Sequence, residues 1–347
     1  MARKILITGG AGFIGINVAA YYIKRGAEII IFDNLSRRGA DLNLKWLREQ
    51  GNFNFVKGDV TDYKKIVSVF KKDKNINVVF HEAAQTAVTT SVKNPRQDFN
   101  DNALGTFNLL EALRNFSPKT ILIYASTNKV YGDLKDIPLK EDKKRYTFKD
   151  LRYKKGISEK QLLDFHSPYS CSKGAADQYV RDYARIFGLR TVVFRQSCIY
   201  GPRQFGVEDQ GWTAWFIIAS LLGKPLTIYG DGKQVRDLLY IDDLISAYDL
   251  VIKNIDKTSG QIYNIGGGYK NTLSLLELID YLKNFGPKIK YSFSKVRAGD
   301  QKIFISDNSR AKKHFGWSPK VSIDEGIKNL YSWISENINE IKAFYNQ

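Results

Sequence analysis

The chain has 347 residues, 43% of them hydrophobic and 13% aromatic, which excludes global disorder and allows two domains or one large domain with an appended lobe. Lys and Arg number 53 against 36 Asp and Glu, a formal charge of +17, but the lysines are scattered in pairs such as Lys64-Lys65 and Lys312-Lys313, so the charge reads as solvated surface rather than a nucleic-acid site. Two cysteines and three histidines without close spacing exclude a disulfide framework and a zinc site, and fit a reducing, cytoplasmic compartment.

No apolar run approaches the ~20 residues of a membrane span. The N-terminus leads at once into a strand and a glycine-rich turn, so it is not read as a signal peptide. The run KILIT over 4–8 predicts a buried strand, 10–25 a helix, and 28–32 a second strand ending at Asp33. Segments 53–57, 78–82 and 120–126 repeat the strand pattern, with helices between them, one over 102–115. The stretch 135–163 is polar and aperiodic and is expected to be a surface insertion. A long helix is predicted over 168–187, a strand over 191–197, and a single helix over 322–345. Strands alternating with helices predict an α/β fold, a doubly wound parallel sheet of the Rossmann type with a smaller C-terminal lobe for substrate.

Gly9, Gly12 and Gly15 follow the first strand and open the first helix. The first permits a tight turn, the second lets a pyrophosphate approach the backbone, and the third lets helix and strand pack closely. Free N–H groups at the helix start suit a phosphate. Asp33 lies 18 residues after Gly15, where a carboxylate accepts hydrogen bonds from a ribose diol and repels a 2′-phosphate, favouring NAD over NADP. Arg37 and Arg38 soften that preference. Asp59 and Val60, after the third strand, are placed to hold the adenine edge.

Tyr169 and Lys173 are four residues apart and share one face of the predicted helix. An ammonium beside a phenol lowers the phenol's pKa from about 10, which would make Tyr169 a general base for a sugar hydroxyl. Thr127 ends a strand, where ligands gather in α/β sheets. His81, inside a strand, is expected to be a satisfied core residue, and Cys171 a small buried filler. Trp212 and Trp215 are expected either to pack into the core or to wall the sugar pocket.

The sequences GGAGFIG, STNKVYGD (126–133), YSCSK, FRQSCIYGPRQ (194–204) and QVRDLLYIDDL (234–244) together resemble the extended short-chain dehydrogenase/reductase family over nearly the whole chain. The likeness implies an NAD-binding domain over 1–195, which also receives part of 232–268, and a mainly substrate-binding lobe over 196–347. It implies that Gly9, Gly12, Phe13 and Ile14 line the pyrophosphate, that Asp33, Asn34 and Ser36 contact the ribose, and that Ala83, Ala84 and Gln85 pass beside the cofactor. Thr127, Tyr169 and Lys173 would be catalytic, Thr127 also facing the substrate, Tyr169 and Lys173 also contacting the cofactor, with Lys173 holding the nicotinamide ribose. Asn128, Cys198, Gln204, Trp212, Arg236, Arg297 and Asp300 would face the nucleotide sugar. STNKVYGD, 163–189 and DQGWTAWF (209–216) narrow the likeness to nucleotide-sugar epimerases acting at C2 of a CDP-sugar, with a UDP-hexose 4-epimerase as the alternative. The residues themselves do not select C2 over C4. Relatives pair helices such as 102–115 and 168–187 across a dimer interface, so a homodimer or homotetramer is expected.

Two departures carry weight. Cys198 stands where many relatives have Asn facing the sugar. Asn128-Lys129 stands where the 4,6-dehydratases of the family carry Asp-Glu. Elimination of water needs an acid and a base there, which an amide and an ammonium do not supply.

Overall fold

The computed structural model describes residues 3–285, 289–297 and 299–346. In chain order the strands are β1 (Lys4–Thr8), β2 (Glu28–Asp33), β3 (Asn54–Lys57), β4 (Val78–His81), β5 (Ile121–Thr127), β6 (Leu139–Glu141), β7 (Tyr146–Phe148), β8 (Arg190–Gln196), β9 (Cys198–Tyr200), β10 (Leu226–Tyr229), β11 (Val235–Tyr240), β12 (Gln261–Ile265), β13 (Thr272–Ser274), β14 (Tyr291–Ser294) and β15 (Ile303–Phe304). Seven of them form one sheet in the order β12-β8-β5-β4-β1-β2-β3, with every pairing parallel. The predicted doubly wound sheet is therefore present. Its strands are near-continuous apolar runs because helices cover both faces. One face packs on the helices Phe13–Ile23, Trp212–Leu221 and Ile241–Lys253, the other on Tyr63–Lys72, Gly105–Phe116 and Pro168–Phe187.

The winding reverses between β1 and β4, so the carboxyl ends of these strands open a crevice. β12 comes from far along the chain and lies beside β8. A second sheet gathers β9, β13 and β15 around β11, which sets Cys198 opposite Leu238. β10 pairs with β14.

Three expectations change. The first helix begins at Phe13 rather than at residue 10, because residues 9–12 form the turn itself. The predicted helix over 322–345 is two helices, Ile323–Glu336 and Ile338–Tyr345, broken at Asn337, whose φ of −106° and ψ of 22° leave the helical region. The 135–163 stretch is more than a surface insertion. It folds the β6–β7 hairpin, and its Ile137 and Ile157 build a small core with Tyr131, Leu134 and Phe304. The short polar strands hide that core from a periodicity argument.

Candidate active site

The glycine turn is held by physical necessity. Gly9 has φ of +67°, and a Cβ there would lie 2.5 Å from the Ala83 amide nitrogen. A Cβ on Gly15 would lie 2.5 Å from the Gly9 carbonyl oxygen, so the helix seats on the turn only without a side chain. Asp33 ends β2 and braces this turn. Its Oδ2 accepts from the Ala11 amide at 3.0 Å and its Oδ1 from the Leu35 amide at 2.8 Å. Burial pushes the Asp33 carboxyl up, and those two amides pull it back. Asn34 donates to Asp59 at 2.7 Å, which ties the ends of β2 and β3 together. Asp59 also accepts from Thr61, and these bonds hold its carboxyl below the usual range.

Gly9, Gly12, Phe13, Ile14, Asp33, Asn34, Ser36, Asp59, Val60, Ala83, Ala84 and Gln85 all line one cleft of about 360 Å³. Gln204, expected on the sugar side, lines this same cleft. Its amide donates to the Ile199 carbonyl at 3.2 Å. Of the two arginines near Asp33, Arg38 is engaged by the Phe344 carbonyl and stacks on the Phe344 ring at 4.4 Å. The Gln85 side chain folds back on the Ala87 backbone, and its backbone carbonyl accepts from the Asn102 amide at 3.0 Å.

The Pro168–Phe187 helix matches its predicted span. Pro168 at the first position and Ser167 as N-cap start it, and Gly188 in the left-handed region ends it. Asp177 and Arg195 anchor it to the sheet. The guanidinium donates to both carboxylate oxygens, at 2.8 and 3.0 Å, and Ser126 donates to the same carboxylate at 2.9 Å. Both charges are buried but fully partnered, as burial requires. This anchor sets Tyr169 and Lys173 beside the end of β5, where Thr127 sits.

Tyr169 and Lys173 are both enclosed. Burial pushes the Tyr169 phenol up to about 12, and its hydrogen bond with Thr127 acts in the opposite direction. Burial pulls the Lys173 ammonium down to about 8, against the carboxylates of Glu82, Asp177 and Asp98. The lowered phenol pKa expected from the sequence is therefore absent in the protein alone. The Lys173 ammonium lies over the Tyr124 ring at 4.3 Å, among acids that draw it, and desolvation dominates at the phenol.

Residues 299–301 lock against the turn after Thr127. Lys129 Nζ donates to the Gly299 carbonyl at 3.0 Å, and the Gln301 amide donates to the Gly132 carbonyl at 2.6 Å. The Asn128 amide reaches Gln301 at 3.4 Å. Asp300 is thereby carried to the turn after Thr127. Arg236 is buried and engages its own neighbour's carbonyl, Val235, at 2.8 Å. Arg297 stacks on the Tyr229 ring at 3.5 Å and faces Asp209 at 3.2 Å. The Cys198 thiol is enclosed beside Trp212 and Arg236, and burial pushes its pKa up. Trp215 instead turns to Tyr345, 5.7 Å away, on the C-terminal helix.

His81 is bonded on both ring nitrogens. It shares hydrogen bonds with Thr8 at 2.6 Å and Thr106 at 3.0 Å, as expected of a satisfied core residue. Cys171 is exposed, not buried. It lies two residues from both Tyr169 and Lys173, about 200° around the helix from either, and so faces away from the sheet. Sequence reasoning missed Glu82 and Lys129 as site residues. Glu82 lines the cleft, accepts from Tyr248 at 2.6 Å, and is pushed up to about 7 by burial. A carboxylate directly after an apolar strand was the available signal.

The family model described as GDP-mannose 4,6 dehydratase matches residues 6–330. The chain is 48% identical to a CDP-paratose 2-epimerase of Salmonella typhi over 341 residues, covering 96% of this chain and 99% of that protein. It is 34% identical to a UDP-glucuronate 4-epimerase of Thermodesulfobacterium geofontis, covering 97% and 98%. The solved structure of a Bacillus cereus UDP-glucuronic acid 4-epimerase, in complex with UDP-glucuronic acid and NAD, superposes with a TM-score of 0.81 at 29% identity, covering 96% and 99%. The glycine turn, the parallel sheet and the Tyr169–Lys173 helix agree with these likenesses, and the chain belongs to the GDP-mannose 4,6-dehydratase-like extended short-chain dehydrogenases/reductases.

Proposed function

We propose that this chain is an NAD-dependent nucleotide-sugar epimerase that converts CDP-paratose to CDP-tyvelose. The observation that carries the reading is the enclosed Thr127–Tyr169–Lys173 set beside the dinucleotide cleft, in a chain 48% identical to a CDP-paratose 2-epimerase. Asn128 and Lys129 after Thr127 speak against a dehydratase, in spite of the name of the matching family model.

Residues 1–195 would hold NAD and 196–347 mainly the sugar nucleotide. The cleft fits a dinucleotide. Gly12 leaves the backbone bare toward it, and its Cβ would meet only the Gly9 carbonyl oxygen, at 3.2 Å. Asp33 would take the adenosine ribose diol through lone pairs its two amide bonds leave free. Asp59 and Val60 would flank the adenine, and Lys173 would hold the nicotinamide ribose. Bound NAD supplies the acceptor for the hydride leaving the sugar carbon and the donor that returns it.

Tyr169 takes the proton from the sugar hydroxyl as the carbonyl forms and gives it back when the carbonyl is reduced. Thr127 hydrogen-bonds the same hydroxyl and orients it. Enclosure excludes water, so the keto-sugar stays unhydrated while it presents its other face. Arg236 and Arg297 meet the diphosphate, with Asp300 nearby. Cys198 and Trp212 form the sugar wall, while Gln204 reaches the site from the cofactor side. The protein acts in a reducing, cytoplasmic setting. It assembles as a homodimer or homotetramer through the exposed apolar stripe of Phe107, Tyr179 and Phe187 on the Gly105–Phe116 and Pro168–Phe187 helices, which make edge-on contacts around the buried Tyr183.

Proton NMR of the protein with CDP-paratose in D2O tests the reading. Formation of CDP-tyvelose with hydrogen retained at C2 is expected. Deuterium at C2 would replace hydride return by proton abstraction from carbon. No conversion by NAD-loaded protein would move the assay to UDP-hexoses.

A further inference from the structure

Lys129 is the least explained charge in the site. It sits two residues after Thr127 on the one-turn helix Asn128–Tyr131, at the carboxyl end of β5. Its side chain is 18% exposed, so its ammonium has little access to solvent. One of its three N–H donors serves the Gly299 carbonyl at 3.0 Å. Asp300 Oδ1 is 3.9 Å away, beyond hydrogen-bond reach. The other two donors meet no acceptor among the described residues.

Its surroundings do not favour a cation. Arg236 from β11 repels it, while Asp300 and Asp133 act in the other direction. Burial and Arg236 together bring the ammonium down to about 8. A buried cation with unused donors beside a second cation is costly unless a ligand brings oxygen atoms to it.

We propose that Lys129 is a specificity-determining residue, its ammonium donating hydrogen bonds to a sugar oxygen of the bound nucleotide sugar. This rests on the epimerase reading above. Its place beside Thr127 puts it at the sugar rather than at the diphosphate, for which Arg236 and Arg297 are the candidates. Gly299 fixes the direction of the ammonium. A Cβ on Gly299 would lie 3.2 Å from the His166 carbonyl oxygen, so this loop packs between Lys129 and the start of the Tyr169 helix. The residue that stands where the dehydratases carry Glu would thus serve the sugar of a different reaction.

The test is calorimetric binding of CDP-paratose and of CDP to NAD-loaded protein, wild type against Lys129→Met, which keeps the stem and loses the donors. We expect affinity for CDP-paratose to fall about 10- to 100-fold and affinity for CDP to stay within about twofold. Lys129→Gln, which keeps a donor, should recover part of the loss, and serves alone if the Met variant does not fold. Equal loss for both ligands would assign the ammonium to the diphosphate and overturn the proposal. No change for either would leave Lys129 as a latch on Gly299 and overturn it as well. Wild-type protein that neither binds nor converts CDP-paratose would sink the epimerase reading, and this assignment with it. Wild-type conversion with unaltered binding by the variants would sink Lys129 alone.

Discussion

Tyr169 and Lys173 depart from solution behaviour in opposite directions for one reason, since each must carry a charge where water is scarce. Burial raises the phenol to about 12 and lowers the ammonium to about 8. Near neutral pH Tyr169 is therefore a neutral phenol, whereas Lys173 is still mostly an ammonium. Tyr169→Phe should lower kcat by about 10²- to 10⁴-fold with retained NAD unchanged, read by turnover and by cofactor content after denaturation. Near-normal turnover in that variant would remove Tyr169 as the base. Asp33 works differently, because its carboxylate braces the glycine turn as well as facing the cleft.

The end of β4 couples folding to pH through two adjacent residues. His81, buried between Thr8 and Thr106, is pulled down to about 3, whereas an unfolded histidine titrates near 6.5. Between those values the unfolded chain binds the extra proton, so acidification through this window removes stability. Glu82 is pushed up to about 7 from an ordinary 4.5, so between 4.5 and 7 the folded chain binds the extra proton and acidification adds stability. The two slopes, each about 1.4 kcal/mol per pH unit, offset one another between 4.5 and 6.5. Glu82→Gln removes one of them. Its urea midpoint should begin to fall near pH 6.5 on acidification, while the wild-type contribution from this pair begins only near 4.5. Parallel curves for the two proteins would refute this compensation.

Across the molecule, residues distant in sequence are brought to one place. The loop at 299–301 grips the turn at 128–132, and Ile157 bridges to Ser306, so the C-terminal half closes on the end of β5. The Pro168–Phe187 helix carries the exposed Tyr179 and Phe187 on its outer side and the buried Asp177, which acts on Lys173, on its inner side. Phe107→Glu combined with Tyr179→Glu should yield a monomer in sedimentation experiments, with folded content retained. A dimer that survives both charges would place the interface elsewhere.

The features legible in advance were those set by local spacing. Three glycines, an acid at the end of the next strand and a Tyr-Lys pair one helical turn apart each satisfy a backbone or side-chain geometry within a few residues. Pro168 and Gly188 bounded the Tyr169–Lys173 helix for the same reason. Cys171 was misjudged because its burial depends on which helix face meets the sheet, and the break at Asn337 because the polar pattern runs through it. By itself the sequence determined the parallel sheet, the glycine turn and the helix that carries Tyr169 and Lys173 on one face. Only the tertiary structure decided the charge states of Tyr169 and Lys173, the enclosure of Glu82 and the direction of Lys129. Ionisation depends on desolvation and on charges brought near from elsewhere in the chain, and Gly299 and Arg236 reach Lys129 across more than a hundred residues.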